Sequence, residues 1–243
     1  MSEDSERSAR QAAELLQRKR GERAERVAGW YFRLNGFLSI PGFVVHPDVV
    51  RRHPLTEADL IAVRFPNSHE VIDGRVMNDD RRLIRLASAS QVLFLLVEVK
   101  LDQCQINGPW TDPQKGSMQR VIRRMGFAND ATVDQIAAEM YRDLRWEDER
   151  TAVQYVAVGK RTNEGVGRSY PQLLQVTWDD IAVFLFDRFV QFPEKLPGDA
   201  RFIHEQWPDF GKFYGKCFRQ LGGHEESKAF VSSYIEQGST AVA

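Results

Sequence analysis

A carboxylate and an amine stand two residues apart at the end of the most apolar segment of the chain. Residues 91–100 read QVLFLLVEVK. The run Val92–Val97 is continuous and rich in β-forming residues, which is typical of a central strand covered on both faces. Side chains two apart on a strand share a face, so Glu98 and Lys100 leave the predicted strand together. Charges in that place must be paired, solvated or bound to a metal, because burying either one alone is costly.

A Glu-x-Lys pair is a weak signal by itself, because Glu226 and Lys228 show the same spacing in the polar tail, where no function is expected. Asp59 strengthens the signal, since it begins a second strand-like segment that we expect to lie beside the first. Two carboxylates on neighbouring strands supply the hard oxygen ligands that Mg²⁺ prefers. A metal held there can polarise a phosphate and acidify a bound water, while a lysine stabilises the nucleophile. The alternative for Asp59 is that it caps a turn.

A third feature lies in the helical stretch before these strands. A lysine or arginine, a glycine and then Ala-Glu-Arg follow one another over residues 19–26, and Gly36-Phe37 precedes the first predicted strand. Together with Asp59 and the Glu98-x-Lys100 spacing, this pattern resembles the Holliday-junction resolvase branch of the PD-(D/E)XK, or restriction-endonuclease-like, nuclease superfamily. The resemblance covers about residues 21–160, as topology and scattered motifs.

The resemblance implies a role for each of these residues. In the resolvase branch a helix glutamate joins the metal site, and the matching position is Glu25, with Arg26 beside it and Glu22 as its rival. The superfamily's Asp matches Asp59, and its Glu-x-Lys matches Glu98 and Lys100. The implied metal is Mg²⁺ or Mn²⁺, and its implied ligands are Glu25, Asp59 and Glu98. An exposed ion pair is the alternative role for either helix glutamate.

The chain departs from the superfamily in one place, because the proline that precedes the aspartate is replaced by Ala58. The expected function is nonetheless a divalent-metal-dependent nuclease, a hydrolase acting on DNA, in a defence or repair setting. The alternative is a catalytically inactive module of the same fold inside a multiprotein system. A compact nuclease that breaks both strands usually needs a second subunit. The expected partner is therefore either a second copy of the chain or another protein.

Further polar residues follow the Glu98 strand. A helix is predicted to open at Asp112-Pro113, with Asp as its N-cap, and its polar side carries candidates for contact with nucleic acid: Gln119, Arg120, Arg123 and Arg124. Arg26 on the first helix is a further candidate for contact with nucleic acid. Trp110, just before that helix, can stack on a base or anchor its own loop. A solvated helix face is the alternative for the helix residues.

The order of elements is helix, three strands, helices, strand and helices. It predicts an α/β protein whose mixed sheet of about four or five strands is flanked by helices, with extra C-terminal helices, which suits a restriction-endonuclease-like core. Gly21 is expected to interrupt the first helix, and Asp209–Leu221 is predicted to form the last one. The predicted parts are an N-terminal helical extension, one domain, an insertion within it and a flexible tail: residues 1–20, 21–221, 66–90 and 222–243.

The composition bears on how the protein binds DNA and on where it is located. The chain has 243 residues and a net charge of −1, from 33 basic and 34 acidic residues. This balance counts against tight non-specific binding to DNA, although it leaves room for a locally basic groove. Two cysteines make no disulfide framework and no run reaches the length of a membrane span, so we expect a cytoplasmic protein without membrane contact.

Overall fold

The computed structural model describes residues 3–47, 54–72, 74–191, 217–218 and 220–237. In these ranges the helices are α1 (Glu3–Leu34), α2 (Arg81–Ile84), α3 (Ser117–Met125), α4 (Asp130–Asp143), α5 (Glu164–Ser169), α6 (Trp178–Gln191) and α7 (His224–Gln237). The strands are β1 (Leu38–Val45), β2 (Thr56–Arg64), β3 (Val71–Ile72), β4 (Arg75–Val76), β5 (Val92–Val99), β6 (Arg145–Glu147), β7 (Thr151–Gly159) and β8 (Leu174–Thr177).

A single mixed sheet forms the centre of the part that the structure describes. Its six strands run in the order β1, β2, β5 and β7, and β6 and β8 both pair with β7. β1, β2 and β5 are joined as an antiparallel meander, whereas β5 and β7 are parallel and are connected through α3 and α4. The predicted fold class is therefore confirmed, since a mixed sheet is flanked by helices.

Each face of the sheet packs against its own set of helices. α1, α6 and α7 cover one face, where Leu95 and Val97 of β5 are buried. α3 and α4 cover the other face, where Leu96 is buried. Because side chains alternate along β5, Glu98 points to the α3 and α4 face. The end of a strand buried on both sides thus carries a charged group into an apolar layer.

α1 is one continuous helix, so the prediction that Gly21 interrupts it is wrong. Residues 5–19 are exposed, and the buried face begins at Ala24 and continues through Val27, Ala28 and Tyr31. A glycine inside a helix costs about 1 kcal/mol relative to alanine, which the packing of the following turns offsets. No helix in the described ranges is both long and apolar enough to cross a membrane.

The prediction of a flexible tail from residue 222 is wrong for residues 224–237, which form the packed helix α7. Its apolar residues Phe230, Val231, Tyr234 and Ile235 are buried against the α1 and α6 layer. They recur at helical spacing, but the polar residues between them give the segment the composition of a solvated chain. The helix predicted over Asp209–Leu221 falls largely outside the described residues.

The segment around Asp112-Pro113 forms a 3₁₀ turn, Pro113–Lys115, instead of the first turn of the predicted α-helix. Asp112 caps this turn by accepting a hydrogen bond from the backbone N–H of Gln114. Gly116 then adopts a left-handed conformation with φ +63°, and α3 begins one residue later. The predicted cap is thus correct, but the α-helix starts later because the glycine redirects the chain.

The insertion at residues 66–90 contains the hairpin of β3 and β4 and is held against the domain by buried ion pairs. Arg188 of α6 is fully buried, and its guanidinium lies 2.7 Å from the carboxylate of Asp79 and 3.6 Å from that of Glu70. Arg64 of β2 also pairs with Asp79 at 2.9 Å. These contacts join the insertion to the sheet and to the α6 layer.

β2 is distorted at Asp59. Ala58 packs on the α3 and α4 face while Leu60 packs on the α1 face, although residues two apart in a regular strand share a face. In β1, Gly42 lies opposite Asp59, between the pairs that Ala58 and Leu60 form, and has φ +59°. A side chain at Gly42 would be strained by this left-handed conformation, and its Cβ would lie 3.2 Å from Glu57 Oε1.

We expect Gly42→Ala to lower the free energy of unfolding by about 1 kcal/mol or more, because alanine disfavours the left-handed region. Gly21→Ala is the matched control, since no atom lies within 4 Å of a Cβ there and its backbone is helical. It should raise the free energy of unfolding by about 0.5–1 kcal/mol. Urea titrations of the two variants measure both values, and equal effects at the two glycines would contradict this description of β1.

Candidate active site

Glu98 is the most deeply buried carboxylate of the site, with 1 % of its side chain exposed. In the described part of the chain, four donors reach its two oxygens. Lys100 Nζ and Asn107 Nδ2 donate to Oε1, and Trp110 Nε1 and Tyr155 Oη donate to Oε2, each at 3.2 Å. A carboxylate has about four lone-pair positions, so Glu98 is saturated and fixed in orientation.

The loop after β5 supplies two of these donors, and a close backbone approach places it. Asn107 and Trp110 bracket a short 3₁₀ turn in this loop. The loop packs directly on Gly159 at the end of β7, where an added Cβ would lie 2.7 Å from the backbone N of Cys104. A backbone atom cannot yield as a flexible side chain does, so glycine is required at this position for the loop to reach Glu98.

Asp59 lies beside Glu98 on the neighbouring strand. The β2–β5 ladder begins at Leu60 paired with Val97. Beyond it, Asp59 Oδ2 accepts a hydrogen bond of 2.6 Å from the backbone N–H of Val99. Burial raises the pKa of Asp59, while that hydrogen bond and the charge of Lys100 oppose the rise. The side chain therefore connects the ends of β2 and β5 and turns toward the Glu98 site.

Glu25 approaches the site from α1. Its carboxyl is half-buried, and burial, followed by repulsion from Asp59 and Glu57, raises its pKa from 4.5 to about 7, although Lys100 opposes the rise. Its charge therefore interacts with those of the strand residues. Glu22, the rival position, is exposed and pairs with Arg18 at 3.5 Å. Of the two helix glutamates, Glu25 is the one directed toward Asp59.

The site carries more negative than positive charge. Burial and then repulsion from Asp59 raise the pKa of Glu98, while Lys100 lowers it. In the described ranges, the three carboxyls of Glu25, Asp59 and Glu98 thus interact with the ammonium group of Lys100. No group of three His, Cys, Asp or Glu side chains within these ranges is close enough to hold a metal ion. The predicted three-ligand set is therefore not assembled, although its members share one electrostatic environment.

This donor set nonetheless fits a hard divalent cation. Mg²⁺ is commonly bound through one or two carboxylates with waters completing the octahedron, so a cage of three protein ligands is not required. Asp59 and Glu98 end adjacent strands, and burial together with a neighbouring carboxylate raises the pKa of each. A dication beside them would relieve that repulsion. A cation at Glu98 would take the place of the Lys100 and Asn107 donors at Oε1.

Trp110 does not present its ring to a base, so its predicted stacking role is wrong for this structure. The side chain is fully buried, and its ring packs edge-on against Tyr155 at 6.5 Å between centroids. Its indole N–H donates to Glu98, as described above. Tryptophan fits here because it combines a large apolar body with one donor that needs a buried partner.

The four predicted nucleic-acid contacts on α3 have partners within the protein. Tyr141 Oη donates to Gln119 Oε1 at 3.3 Å, and Arg120 donates to the carbonyl of Gly116 at 2.7 Å. The remaining two arginines are exposed and pair with neighbours: Arg123 with Asp130 at 3.2 Å and Arg124 over the ring of Phe43 at 5.7 Å. Gln119 thus supports helix packing, and Arg120 caps the turn before α3.

Asn107 and Tyr155 are site residues that the sequence did not single out. Tyr155 had a recognisable signal, because a hydroxyl inside a buried, apolar strand needs a hydrogen-bond partner. Asn107 had none, because its contact depends on the backbone approach at Gly159. Both residues donate to Glu98, and both therefore determine its orientation.

Comparisons with family models, with curated proteins and with solved structures found no match. The interpretation of the site therefore depends on its own geometry, burial and charge.

We expect Glu25→Gln to raise the melting temperature at about pH 8 and to change it much less at about pH 5. The pKa of Glu25 is about 7 in the folded chain against its usual 4.5. The Glu25 carboxyl therefore lowers the free energy of unfolding least below pH 4.5, where it is protonated in both states. The free energy of unfolding falls as the pH rises through about 7, where the buried carboxyl ionises. Glu6→Gln, at an exposed position of the same helix, is the control and should shift neither temperature. A uniform shift across the pH range would contradict the buried position of Glu25.

Proposed function

We propose that the chain is a divalent-metal-dependent nuclease that hydrolyses phosphodiester bonds in DNA. The observation that supports it most is the meeting of Asp59, Glu98 and Lys100 at the ends of two adjacent strands, with the carboxyl of Glu25 interacting with them from α1. This is the set of residue types that the resemblance to the PD-(D/E)XK superfamily implies, on a sheet of the expected class. A role in defence or repair belongs to the same proposal.

Asp59 and Glu98 are the proposed holders of Mg²⁺ or Mn²⁺, and Glu25 adds negative charge beside them. A divalent cation bound there supplies charge that stabilises the attacked phosphate and acidifies a water. Burial raises the pKa of all three carboxyls, and repulsion adds to it, from Asp59 at Glu25 and Glu98 and from Glu57 at Asp59. The negative charge of these three carboxyls therefore favours binding of a cation.

Lys100 is the proposed group that acts on the nucleophile or on the developing negative charge of the phosphate. Its side chain is 29 % exposed, so a substrate can reach it, whereas the Glu98 carboxylate that it contacts is closed to solvent. Its backbone N–H remains in the sheet, donating to Val158 O at 2.8 Å. The ammonium group is thus attached to a rigid strand end, which fixes its position without extra ordering.

The buried donors around Glu98 prepare this carboxylate for one orientation. Trp110 and Tyr155 hold Oε2 from the apolar layer, and Asn107 and Lys100 hold Oε1 from the open side. Preorganised polar groups of this kind cost no reorganisation during a reaction. Tyr155 and Trp110 are therefore positioning residues, because they act on the site only through Glu98.

A specific observation favours a second candidate, a non-cutting interaction module of the same fold. The oxygens of Glu98 accept a full set of hydrogen bonds from the protein itself, so the fold is satisfied at this carboxylate without a metal. The net charge of −1 agrees with this alternative. It predicts that the protein neither cuts DNA nor responds to Mn²⁺.

For the nuclease, Lys100→Ala should reduce the rate of DNA cleavage by about 10²–10³, the usual effect of removing a transition-state contact. The chain should still fold, because Lys100 lies at the strand end, but its melting temperature should fall, because Glu98 loses one of its four donors and the positive charge beside it. Plasmid, linear, branched and single-stranded DNA with Mn²⁺ are the substrates, and a melting curve accompanies each protein. Lys160→Ala is the control, since this exposed lysine follows the neighbouring strand β7.

Loss of cutting in Lys100→Ala alone, with a cooperative melting transition retained, supports the proposed site. Full cutting by Lys100→Ala would place the chemistry elsewhere. A wild-type protein that cuts none of the four substrates would contradict the nuclease and favour the interaction module.

A further inference from the structure

A cavity of about 370 Å³ lies between α1 and the β1–β2 hairpin, next to the active site. Glu22 and Glu25 line it at one end, and the carboxyl of Glu25 interacts with Asp59 and Lys100. Along α1 the lining continues through Arg26, Gly29 and Arg33. We call this feature the α1 groove. It is continuous with the proposed reaction centre through the Glu25 side chain.

Two arginines of the α1 groove are exposed and carry no ion pair with any described residue, namely Arg26 and Arg33. Other arginines of α1 are engaged: Arg10 with Glu14, Arg18 with Glu22, Arg20 with Glu236, and Arg23 with the carbonyls of Ile235 and Glu236. The helix thus neutralises many of its cations in close contacts, whereas Arg26 and Arg33 make no ion pair with the described residues, and the charge of Arg33 acts at longer range on Glu70. Guanidinium groups are well suited to phosphate because they donate two parallel hydrogen bonds.

The spacing of these arginines places them on one side of the helix. Seven residues are close to two helical turns, so Arg26 and Arg33 project in nearly the same direction, about 10 Å apart along the axis. That length corresponds to about three stacked nucleotides of one strand. Between them, Gly29 has no side chain, and no atom lies within 4 Å of the position that its Cβ would take. The groove is therefore open along its length.

Arg33 is also held in place. Its guanidinium lies 4.7 Å from the centre of the Trp30 ring, which is 7 % exposed and belongs to the core. A cation resting on a fixed aromatic ring keeps its donors outward. Less side-chain freedom is then lost when the arginine binds an anion.

We propose that the α1 groove binds one single strand of nucleic acid that leads into the active site, with Arg26 and Arg33 on its phosphates. This inference deepens the proposed nuclease function and depends on it for the identity of the ligand. A cavity of about 370 Å³ is too small for a duplex and receives only part of one strand, so the groove favours substrates with an unpaired strand beside the cleavage position.

Binding is measured without metal, so that the result does not depend on cleavage. The probes are a fluorescein-labelled single-stranded oligonucleotide and the same sequence as a duplex, in EDTA, followed by anisotropy at about 50 to 200 mM salt. The double variant Arg26→Gln with Arg33→Gln should bind the single strand about ten- to hundredfold more weakly. Its plot of log affinity against log salt should lose a slope of about 1.4, or about 0.7 for each phosphate contact.

Two further variants separate a groove from general charge. Arg7→Gln with Arg10→Gln removes two cations from the exposed part of the same helix and should leave the salt slope unchanged. Gly29→Gln keeps both arginines, improves helix propensity and obstructs the groove. It should weaken binding of the single strand while the melting temperature does not fall.

The proposal is overturned if both arginine pairs weaken binding equally, if Gly29→Gln binds normally, or if the wild type prefers the duplex. Absence of binding by the wild type would overturn it as well. A protein that binds through the groove but never cuts would contradict the nuclease alone. A protein that cuts with unchanged KM after loss of Arg26 and Arg33 would contradict the groove alone.

Discussion

The site depends on one physical constraint, which is the burial of the Glu98 carboxylate at the end of a strand covered on both faces. An ionised group in an apolar layer is stable only when donors satisfy it. Trp110 and Tyr155 supply them from within the core, and Asn107 supplies one from a loop. The loop reaches that position because Gly159 lets its backbone approach closely. Tyr155 and Gly159 of β7 therefore both serve to satisfy the Glu98 carboxylate.

A second consequence is the accumulation of negative charge. The distortion of β2 directs Asp59 toward the end of β5, and the charge of Glu25 on α1 acts on Asp59, while Lys100 opposes the rise in the pKa of each. Such an arrangement lowers the stability of the empty fold near neutral pH, because buried like charges repel one another. Function explains it better than stability does, since a bound dication would turn the same repulsion into attraction.

Much of this site was predictable from local patterns. The apolar run before Glu98 indicated a central strand, and the two-residue spacing to Lys100 indicated a shared face, as the structure shows. Other features depend on contacts between distant segments. The burial of Trp110, for example, follows from the loop that folds back on Gly159, which no local pattern contains. The tail was misjudged for a different reason, because α7 spaces its few apolar residues at helical intervals within a polar composition.

Calorimetric titration of Mn²⁺ into the wild type and Asp59→Asn tests the central claim most directly. The variant should fold, because an asparagine oxygen can still accept the hydrogen bond from Val99 and one repelling charge is removed. The wild type should bind Mn²⁺ and release protons at about pH 6.5, since carboxyls with raised pKa values must ionise to accept the metal. Asp59→Asn should bind far more weakly. Equal binding by both proteins, or no binding by the wild type, would contradict a metal site at the ends of β2 and β5.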